Sequence, residues 1–298
     1  MGRILIGTAS WTDNSLIESG WYPKGVTSAE DRLGFYASRF PLVEVDSTYY
    51  FLPRREVAKR WVERTPAKFT FDVKAFSLLT QHPTRAEALP PDMRPAGKRR
   101  VYLRHLDASA IDEIWSRFLS ALAPLQNAGK LGAVLFQFPP WFTIKRANKD
   151  YLTECAARAR SVRVCVEFRS PTWLSGENCG ETMEFLAKHN LAYVCVDTAR
   201  RSGSVPAVAA TTSSELAVVR FHGRARTRSD ADDAQPEAAY LYTKKALESW
   251  VPKLLALADE AKTVHAVFRN VHRDFAPRSA ERLRDLLQDS GSLVKRWT

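Results

Sequence analysis

The feature that most constrains the fold is an alternation of short β-branched or aromatic runs with longer amphipathic segments, repeated eight times. The strand-like runs cover residues 3–8, 42–46, 69–74, 132–138, 162–168, 192–197, 217–222 and 264–268. Helix-like segments cover residues 28–39, 55–64, 109–127, 148–160, 181–189, 240–262 and 277–288, with a weak connection after the sixth strand. Because parallel strands need crossover connections, eight such units predict an α/β chain folded as one (β/α)8 TIM-type barrel domain, residues 1–298.

A doubly wound α/β sheet is the competing architecture, because it also alternates strands with helices. The turn after the first strand, residues 7–11, contains one glycine, whereas a dinucleotide-binding turn needs several close together. The sequence therefore carries no nucleotide-cofactor motif. Two polar, breaker-rich segments, residues 81–100 and 223–236, are predicted to be long loops after the third and seventh strands.

The composition restricts the class of protein and of partner. Hydrophobic residues form 45% of the chain, as in globular proteins, and no apolar run is long enough to cross a membrane. The first ten residues enter a strand without room for a signal peptide, and four scattered cysteines indicate buried, reduced thiols in a cytoplasmic protein. The net charge of +11 favours an anionic partner, either a small ligand or nucleic acid, although solubility alone would also explain it. The oligomeric state is left open.

Polar side chains end most of the predicted strands, often two residues apart, so that they share one face of the strand. In a barrel of this type the active site lies at the carboxyl ends of the strands. Burying charges is costly unless they are paired, so a cluster of them indicates a ligand or catalysis, although any single one could pair with an arginine or cap a helix. The residues are Glu44, Asp46, Asp72, Lys74, Gln137, Glu167, Arg169, Asp197, Arg220, His222, Arg269 and Asn270.

The chemistry of the side chains divides the candidates into two sets. The catalytic candidates are Glu167, as first choice for a general acid or base, His222, Asp197 and Glu44. The substrate-binding candidates combine guanidinium groups for charge with amides and aromatic rings for orientation: Arg169, Arg220, Arg224, Gln137, Asn270, Trp11 and Tyr49. For the aromatic residues, a second small core that closes the top of the barrel is an equal alternative. The loop arginines Arg226 and Arg228 are expected to be solvated.

A divalent metal ion is a further hypothesis for this end of the barrel, and the cofactor is otherwise unknown. Glu167, Asp197 and His222 lie on three consecutive predicted strands and form the candidate ligand set. Hard cations take carboxylate ligands, whereas zinc would prefer more imidazole. The sequence leaves the presence of a metal open.

Several longer motifs give the chain a family resemblance. Val-Glu-Val-Asp-Ser-Thr-Tyr-Tyr at residues 43–50, Leu-Phe-Gln-Phe-Pro-Pro at 135–140 and Val-Glu-Phe-Arg-Ser-Pro-Thr-Trp at 166–173 resemble signatures of the YecE-like domain-of-unknown-function family seventy-two. Gly-Thr-Ala-Ser-Trp at 7–11 and Arg-Phe-His-Gly-Arg at 220–224 extend the resemblance over nearly the whole chain. It implies a TIM-type barrel but supplies no activity. It places the family's shared polar residues at Glu44, Gln137, Glu167, Arg169, Asp197, Arg220 and His222.

Three departures from the family pattern fall at the presumed rim of the site. Ser10 stands where the family has glycine, Arg269 lies in a region that usually reads Phe-Asn-Asn, and Ser279 replaces an asparagine. These changes indicate a different ligand or a lost activity.

The sequence predicts an enzyme that acts on a small anionic substrate, phosphorylated or like a sugar or nucleotide. The predicted chemistry is that of a hydrolase, isomerase or lyase, with or without a metal. The alternatives are a nucleic-acid-binding or nuclease-like protein that uses its basic surface, and a non-catalytic ligand-binding barrel.

Overall fold

A closed parallel barrel forms the centre of the protein in the computed structural model, which describes residues 1–200, 203–224 and 238–289. The strands are β1 (Arg3–Ala9), β2 (Leu42–Val45), β3 (Thr70–Lys74), β4 (Thr84–Arg85), β5 (Arg100–Val101), β6 (Leu131–Phe138), β7 (Val164–Phe168), β8 (Ala192–Thr198), β9 (Leu216–Gly223) and β10 (Thr263–Phe268). Around the barrel the order is β1, β2, β3, β6, β7, β8, β9 and β10, which pairs back to β1. The predicted TIM-type (β/α)8 fold is confirmed.

Helices follow most of the barrel strands and pack on its outside. They are α1 (Asn14–Glu18), α2 (Ala29–Arg39), α3 (Ser47–Tyr50), α4 (Arg55–Glu63), α5 (Ala108–Asn127), α6 (Arg146–Arg158), α7 (Asn178–Lys188), α8 (Lys244–Glu248), α9 (Val251–Glu260) and α10 (Phe275–Asp289). In α5, Ile114, Phe118 and Leu122 recur at helical spacing and are buried. Asp107 begins this helix by accepting the N–H of Ala110 at 2.8 Å.

Two segments differ in detail from their prediction, and a third lies mostly outside the described ranges. Residues 240–262 contain two helices, α8 and α9, because Pro252 in the first turn of α9 lacks the N–H that a continuous helix would need. The predicted loop 81–100 contains β4, which pairs antiparallel with β5 so that Thr84 lies opposite Val101. Most of the predicted loop 223–236, with Arg226 and Arg228, lies outside the described ranges.

Close packing of strands β1 and β2 explains why glycine stands at position 7, in the motif Gly-Thr-Ala-Ser-Trp at residues 7–11. A Cβ atom at Gly7 would overlap the carbonyl oxygen of Leu42 on β2 and lie 2.7 Å from its carbonyl carbon. Ser10 has φ 62°, in the left-handed region that favours glycine. Its Oγ accepts the N–H of Thr12 at 3.1 Å, and its own N–H donates to the Glu44 carbonyl at 2.9 Å. These bonds hold a turn that glycine would adopt without strain.

The two faces of each barrel strand have different neighbours. One face packs against the helices, and the other faces the barrel axis, where an apolar cluster is formed by Ala133, Leu135, Cys165, Ala192, Val194, Val196, Leu216 and Val218. A buried hydrogen bond crosses this interior, with His265 Nδ1 2.9 Å from Asp72 Oδ2. Closer to the carboxyl ends, the same inward faces carry Glu44, Glu167 and Arg220.

The cysteines are packing groups. Cys155, Cys165 and Cys195 are buried, which confirms the prediction of buried thiols, and Cys179 is half-buried; all four are free. Burial raises the pKa of Cys195 to about 11, since water no longer solvates the thiolate. Within the described ranges, no helix has the length and apolar character required to cross a membrane.

Candidate functional site

Arg220 lies at the centre of a polar network inside the carboxyl end of the barrel. Its side chain is fully buried, on the face of β9 that also carries His222. The guanidinium donates two hydrogen bonds to the Glu44 carboxylate, one of them from Nε to Oε2 at 2.8 Å, and a third to Glu167 Oε2. Nη1 also donates to Gln137 Oε1 at 3.2 Å. One cation therefore joins side chains from β2, β6, β7 and β9.

Both carboxylate oxygens of Glu167 have partners. Oε2 accepts from Arg220, while Oε1 lies 3.1 Å from His222 Nε2 and 3.5 Å from Arg169 Nε. Although burial alone would raise it, the charge of Arg220 and the bond to His222 hold the pKa of Glu167 well below its usual range. Burial lowers the pKa of His222 to about 3, so the imidazole is neutral and its Nε2–H is the donor. Glu167 is therefore an ionised group that orients Arg220.

Glu44 has a different electrostatic environment although it binds the same guanidinium. Burial raises the pKa of Glu44 to about 7, because the attraction of Arg220 offsets only part of the desolvation and the nearby Asp46 carboxylate adds repulsion. Although burial raises it, the positive charges of Lys74 and Arg269 hold the pKa of Asp46 below its usual range. Glu44 therefore changes its protonation near neutral pH while the pKa of Asp46 is held low, and a pKa near the working pH suits a group to general acid–base catalysis.

Lys74, Asp46 and Arg269 form the outer layer of the network. Lys74 Nζ lies 3.9 Å from Asp46 Oδ1, and Arg269 Nε lies 3.6 Å from Asp46 Oδ2. Both separations exceed hydrogen-bond length, and Asp46 Oδ1 is buried without a hydrogen-bond partner among the described residues. Burial lowers the pKa of Lys74 to about 8, although the Asp46 carboxylate opposes this change.

Aromatic rings line the rim next to this outer layer. The Tyr49 ring centroid lies 4.4 Å from Lys74 Nζ. The row of rings continues from Tyr49 to His82 and on to Trp141, with centroids 5.3 Å and 5.8 Å apart. Tyr50 and Trp141 are 60% and 58% exposed, which is unusual for side chains of this size. Tyr49 is therefore placed beside the network, where the sequence predicted an aromatic pocket wall.

Trp11 and Asn270, two predicted substrate-binding residues, lie away from this rim. Trp11 is buried edge-on against Trp61, with ring centroids 5.8 Å apart, and both rings belong to the main hydrophobic core of the protein. Asn270 is also buried, and its Nδ2 donates to the Tyr240 carbonyl at 2.8 Å and to Ser279 Oγ at 3.3 Å. Ser279, one of the departures from the family pattern, therefore forms part of the contact between Asn270, which follows β10, and helix α10.

Asp197 lies on the opposite face of the sheet from the network. It is aligned with Phe221, whose ring packs on Trp250 outside the barrel with centroids 5.2 Å apart. Its carboxylate accepts hydrogen bonds from Trp250 Nε1, from Tyr242 Oη at 3.0 Å and from Arg224 Nε at 2.6 Å. Asp197 and Arg224 therefore tie the strand ends to the helical layer.

The three predicted metal ligands are not brought together. Glu167 and His222 meet inside the barrel, whereas Asp197 is turned toward the helices. Across residues 1–200, 203–224 and 238–289, no group of three or more His, Cys, Asp or Glu side chains is spaced to hold a metal ion. The predicted ligand set Glu167, Asp197 and His222 therefore does not form. Neighbouring positions on a strand point to opposite faces, and Asp197 points away from the face that carries the other two.

Lys74 and Asp46 belong to the network, although sequence reasoning did not select them as catalytic or binding residues. Both were recognised as polar strand ends, each two residues beyond another inward-facing carboxylate. Their two-residue spacing from an inward-facing carboxylate was therefore the sequence signal that could have identified them. His82 had no such signal, because it lies in a segment predicted to be an irregular loop.

Surface cavities occur elsewhere on the molecule. One of about 400 Å³ lies at the amino ends of the barrel strands, next to Leu131, Val164 and Leu216, and another of about 640 Å³ lies between α6 and α7. Neither is lined by the buried network around Arg220. Buried groups with shifted pKa values indicate a functional site more specifically than a surface depression does, so we place the candidate site at the carboxyl end.

Replacing Glu44 with Gln is expected to change how stability depends on pH. Because the folded-state pKa of Glu44 is raised, its stabilising protonation is fully present below the ordinary glutamate pKa and is lost as pH rises through about 7. Gln stays neutral, so the free energy of unfolding of wild type should fall relative to E44Q by about 1–3 kcal/mol between about pH 5 and about pH 8. Urea unfolding at both pH values measures this, and a relative change of opposite sign would contradict the assignment.

The sequence is similar to a described family and to proteins from two bacteria. Residues 5–297 match the family model described as "Protein of unknown function DUF72". The chain is 31% identical over 290 residues to UPF0759 protein YunF of Bacillus subtilis (strain 168), covering 95% of this chain and 94% of that protein. It is also 30% identical over 139 residues to UPF0759 protein YecE of Escherichia coli (strain K12), covering 47% of this chain and 39% of that protein.

Solved structures of similar proteins have the same architecture. A DUF72 family protein from Enterococcus faecalis V583 superposes with a TM-score of 0.78 at 25% identity, covering 96% of this chain and 95% of that one. A DUF72 family protein from Thermotoga maritima MSB8 superposes with a TM-score of 0.75 at 25% identity, covering 96% and 99%. The barrel is therefore shared over nearly the full length of all three chains.

Proposed function

The chain belongs to the DUF72 family of proteins of unknown function, and we propose that it is an enzyme acting on a small anionic substrate at the carboxyl end of the barrel. The reaction class we infer is proton transfer, as in an isomerase, lyase or hydrolase. One observation carries the proposal: Glu44, with a pKa of about 7, and Lys74, with a pKa of about 8, lie in one buried network. Groups whose pKa values are brought near neutral pH by burial and neighbouring charge are typical of general acids and bases.

The charge of the network supports an anionic substrate. Four cationic side chains accompany three carboxyl groups, one of which is partly protonated near neutral pH, so positive charge is in excess. They are Lys74, Arg169, Arg220 and Arg269 with Glu44, Asp46 and Glu167. Arg169 has 20% of its side chain exposed and is therefore placed to meet an incoming ligand. A guanidinium binds carboxylate or phosphate through two hydrogen bonds at once.

The roles within the network follow from its electrostatics. Glu44 gives or takes the substrate proton, because it alone among the two glutamates changes its protonation near neutral pH. Glu167, the first choice from sequence, stays ionised and holds Arg220 in place through a hydrogen bond. Gln137 supports the same guanidinium with its amide oxygen. The proton-transfer role therefore moves from Glu167 to Glu44.

Anion binding followed by turnover tests the proposal. We expect inorganic phosphate, or a small carboxylate or phosphorylated metabolite from a screened panel, to raise the melting temperature of the wild-type protein. Arg169→Met should weaken binding by about tenfold or more, because a charge-assisted hydrogen bond contributes about 1.5–3 kcal/mol. Arg117→Met is the matched control, since Arg117 pairs with Glu113 on the outside of the barrel and should bind anions as wild type does.

Turnover distinguishes catalysis from binding alone. For a panel compound that wild type converts, E44Q should retain binding and lose roughly a hundred- to ten-thousand-fold in kcat. Full turnover by E44Q would show that Glu44 does not transfer the proton. If no anion stabilises the wild-type protein, the proposed anion site is wrong.

A further inference from the structure

We propose that Lys74 is a nucleophilic amine that forms a covalent imine with a small anionic carbonyl compound at the mouth of the barrel. The inference rests on the anion site proposed above and names the substrate class as aldehydes or ketones that carry a carboxylate or phosphate. It assigns Lys74 a covalent role in place of a purely electrostatic one.

A second buried lysine shows what a structural lysine looks like in this protein. Lys130 Nζ donates to the carbonyl oxygens of Val62 at 2.8 Å and Thr65 at 2.7 Å, and to Thr65 Oγ1 at 2.9 Å. All three donor positions of that ammonium are therefore used. Lys74 is equally buried, yet its Nζ makes no hydrogen bond within the described ranges. The Asp46 carboxylate and the face of the Tyr49 ring stabilise this ammonium without a hydrogen bond, and burial shifts it toward the neutral amine.

The surroundings of Lys74 fit a reacting amine. Thr48 Oγ1 donates to the Lys74 carbonyl at 2.6 Å and holds its backbone in place. The Tyr49 ring lies 4.4 Å from Nζ and covers one side of it. Asp46 Oδ1 lies 3.9 Å away and has no hydrogen-bond partner among the described residues, so it is available to accept a proton. The Lys74 side chain is 7% exposed, so it is not entirely closed off from solvent.

The electrostatics agree with this geometry. Burial lowers the pKa of Lys74 to about 8, the charges of Arg269 and Arg220 act in the same direction, and the carboxylates of Asp46 and Glu44 oppose them. His82 also lies close enough for Lys74 to lower the imidazole pKa. A lysine desolvated beside other cations is a recognised type of activated amine nucleophile.

The chemical step balances without an oxidant or reductant. The neutral Nζ attacks the carbonyl carbon, a C–N bond forms, and the C=O π pair moves to oxygen. Asp46 accepts protons from nitrogen and passes them to that oxygen. The oxygen then leaves as water with the two hydrogens of the amine, and a C=N bond remains.

Reductive trapping tests the proposal on the unmodified wild-type protein. Glyoxylate is the probe, because it is a small anionic aldehyde, and cyanoborohydride near neutral pH converts its imine into a stable carboxymethyl amine. Peptide mass spectrometry then compares Lys74 with the buried Lys130 and with the exposed Lys59 and Lys244. We expect Lys74, whose pKa burial lowers to about 8, to be modified at least about tenfold faster than the exposed lysines, and Lys130 to be unmodified. Inorganic phosphate should slow modification of Lys74 alone.

The outcomes separate this inference from the proposed function. Modification of Lys74 no faster than that of Lys59, while phosphate still stabilises the protein, would overturn the covalent role and leave the anion site standing. Rapid modification of Lys74 that phosphate does not slow would support the reactive amine and contradict the anion site. Loss of the Lys74 preference in denaturant is the expected control, since the preference depends on the fold.

Discussion

Arg220→Met should destabilise the protein by about 3–5 kcal/mol, because it leaves two carboxyl groups buried without their cation. The Glu44 and Glu167 side chains are almost entirely inaccessible to water and share this one guanidinium. Methionine has a similar length and no charge, so it limits the cavity and isolates the electrostatic effect. Equilibrium unfolding in urea measures the change.

Two further variants test whether the loss of stability comes from the unpaired carboxyl groups or merely from replacing an arginine. Arg117→Met removes a partly exposed arginine from α5 and should change stability by less than about 0.5 kcal/mol. Adding E44Q and E167Q to Arg220→Met should recover part of the loss, since no buried charge then lacks a partner. A loss below about 1 kcal/mol for Arg220→Met alone would show that the buried carboxyl groups do not need the guanidinium.

Gly132→Ala is the second substitution with a large expected effect, a loss of about 2–4 kcal/mol. A Cβ atom there would overlap Asp72 Oδ1 and lie 2.6 Å from Thr70 Cγ2 and 2.8 Å from His265 Cε1. The pairing of β3 with β6 shifts register at this point, which brings Gly132 against the buried, hydrogen-bonded pair of Asp72 and His265. The neighbours are confined within the barrel, so an added methyl group must displace the pair.

The same substitution elsewhere provides the control. A Cβ atom at Gly34, in α2, would meet no heavy atom within 4 Å. Because alanine favours the helix, Gly34→Ala should stabilise the protein by about 0.5–1 kcal/mol. Thermal and urea unfolding of the two variants should therefore change in opposite directions. Equal stability of Gly132→Ala and wild type would mean that the interior at this level of the barrel is not tightly packed.

Much of the site could be predicted because inward-facing residues recur every second position along a strand. This rule correctly placed Glu44, Glu167 and Arg220 together. Asp197 was instead grouped with them only because it ends its strand; Val194 and Val196 face the barrel axis, so Asp197, one position further on, faces the helices.

The amino-acid sequence by itself determined the barrel and the set of charged groups at its carboxyl end, because apolar periodicity and crossover connections are local properties of the chain. Only the tertiary structure decided which charges meet. Arg220 binds Glu44 across 176 positions of the chain and Glu167 across 53, and these contacts, with burial, make Glu44 rather than Glu167 titrate near neutral pH. The pKa of a buried group depends on desolvation and on charges within a few ångströms, and those neighbours come from strands that are distant in sequence.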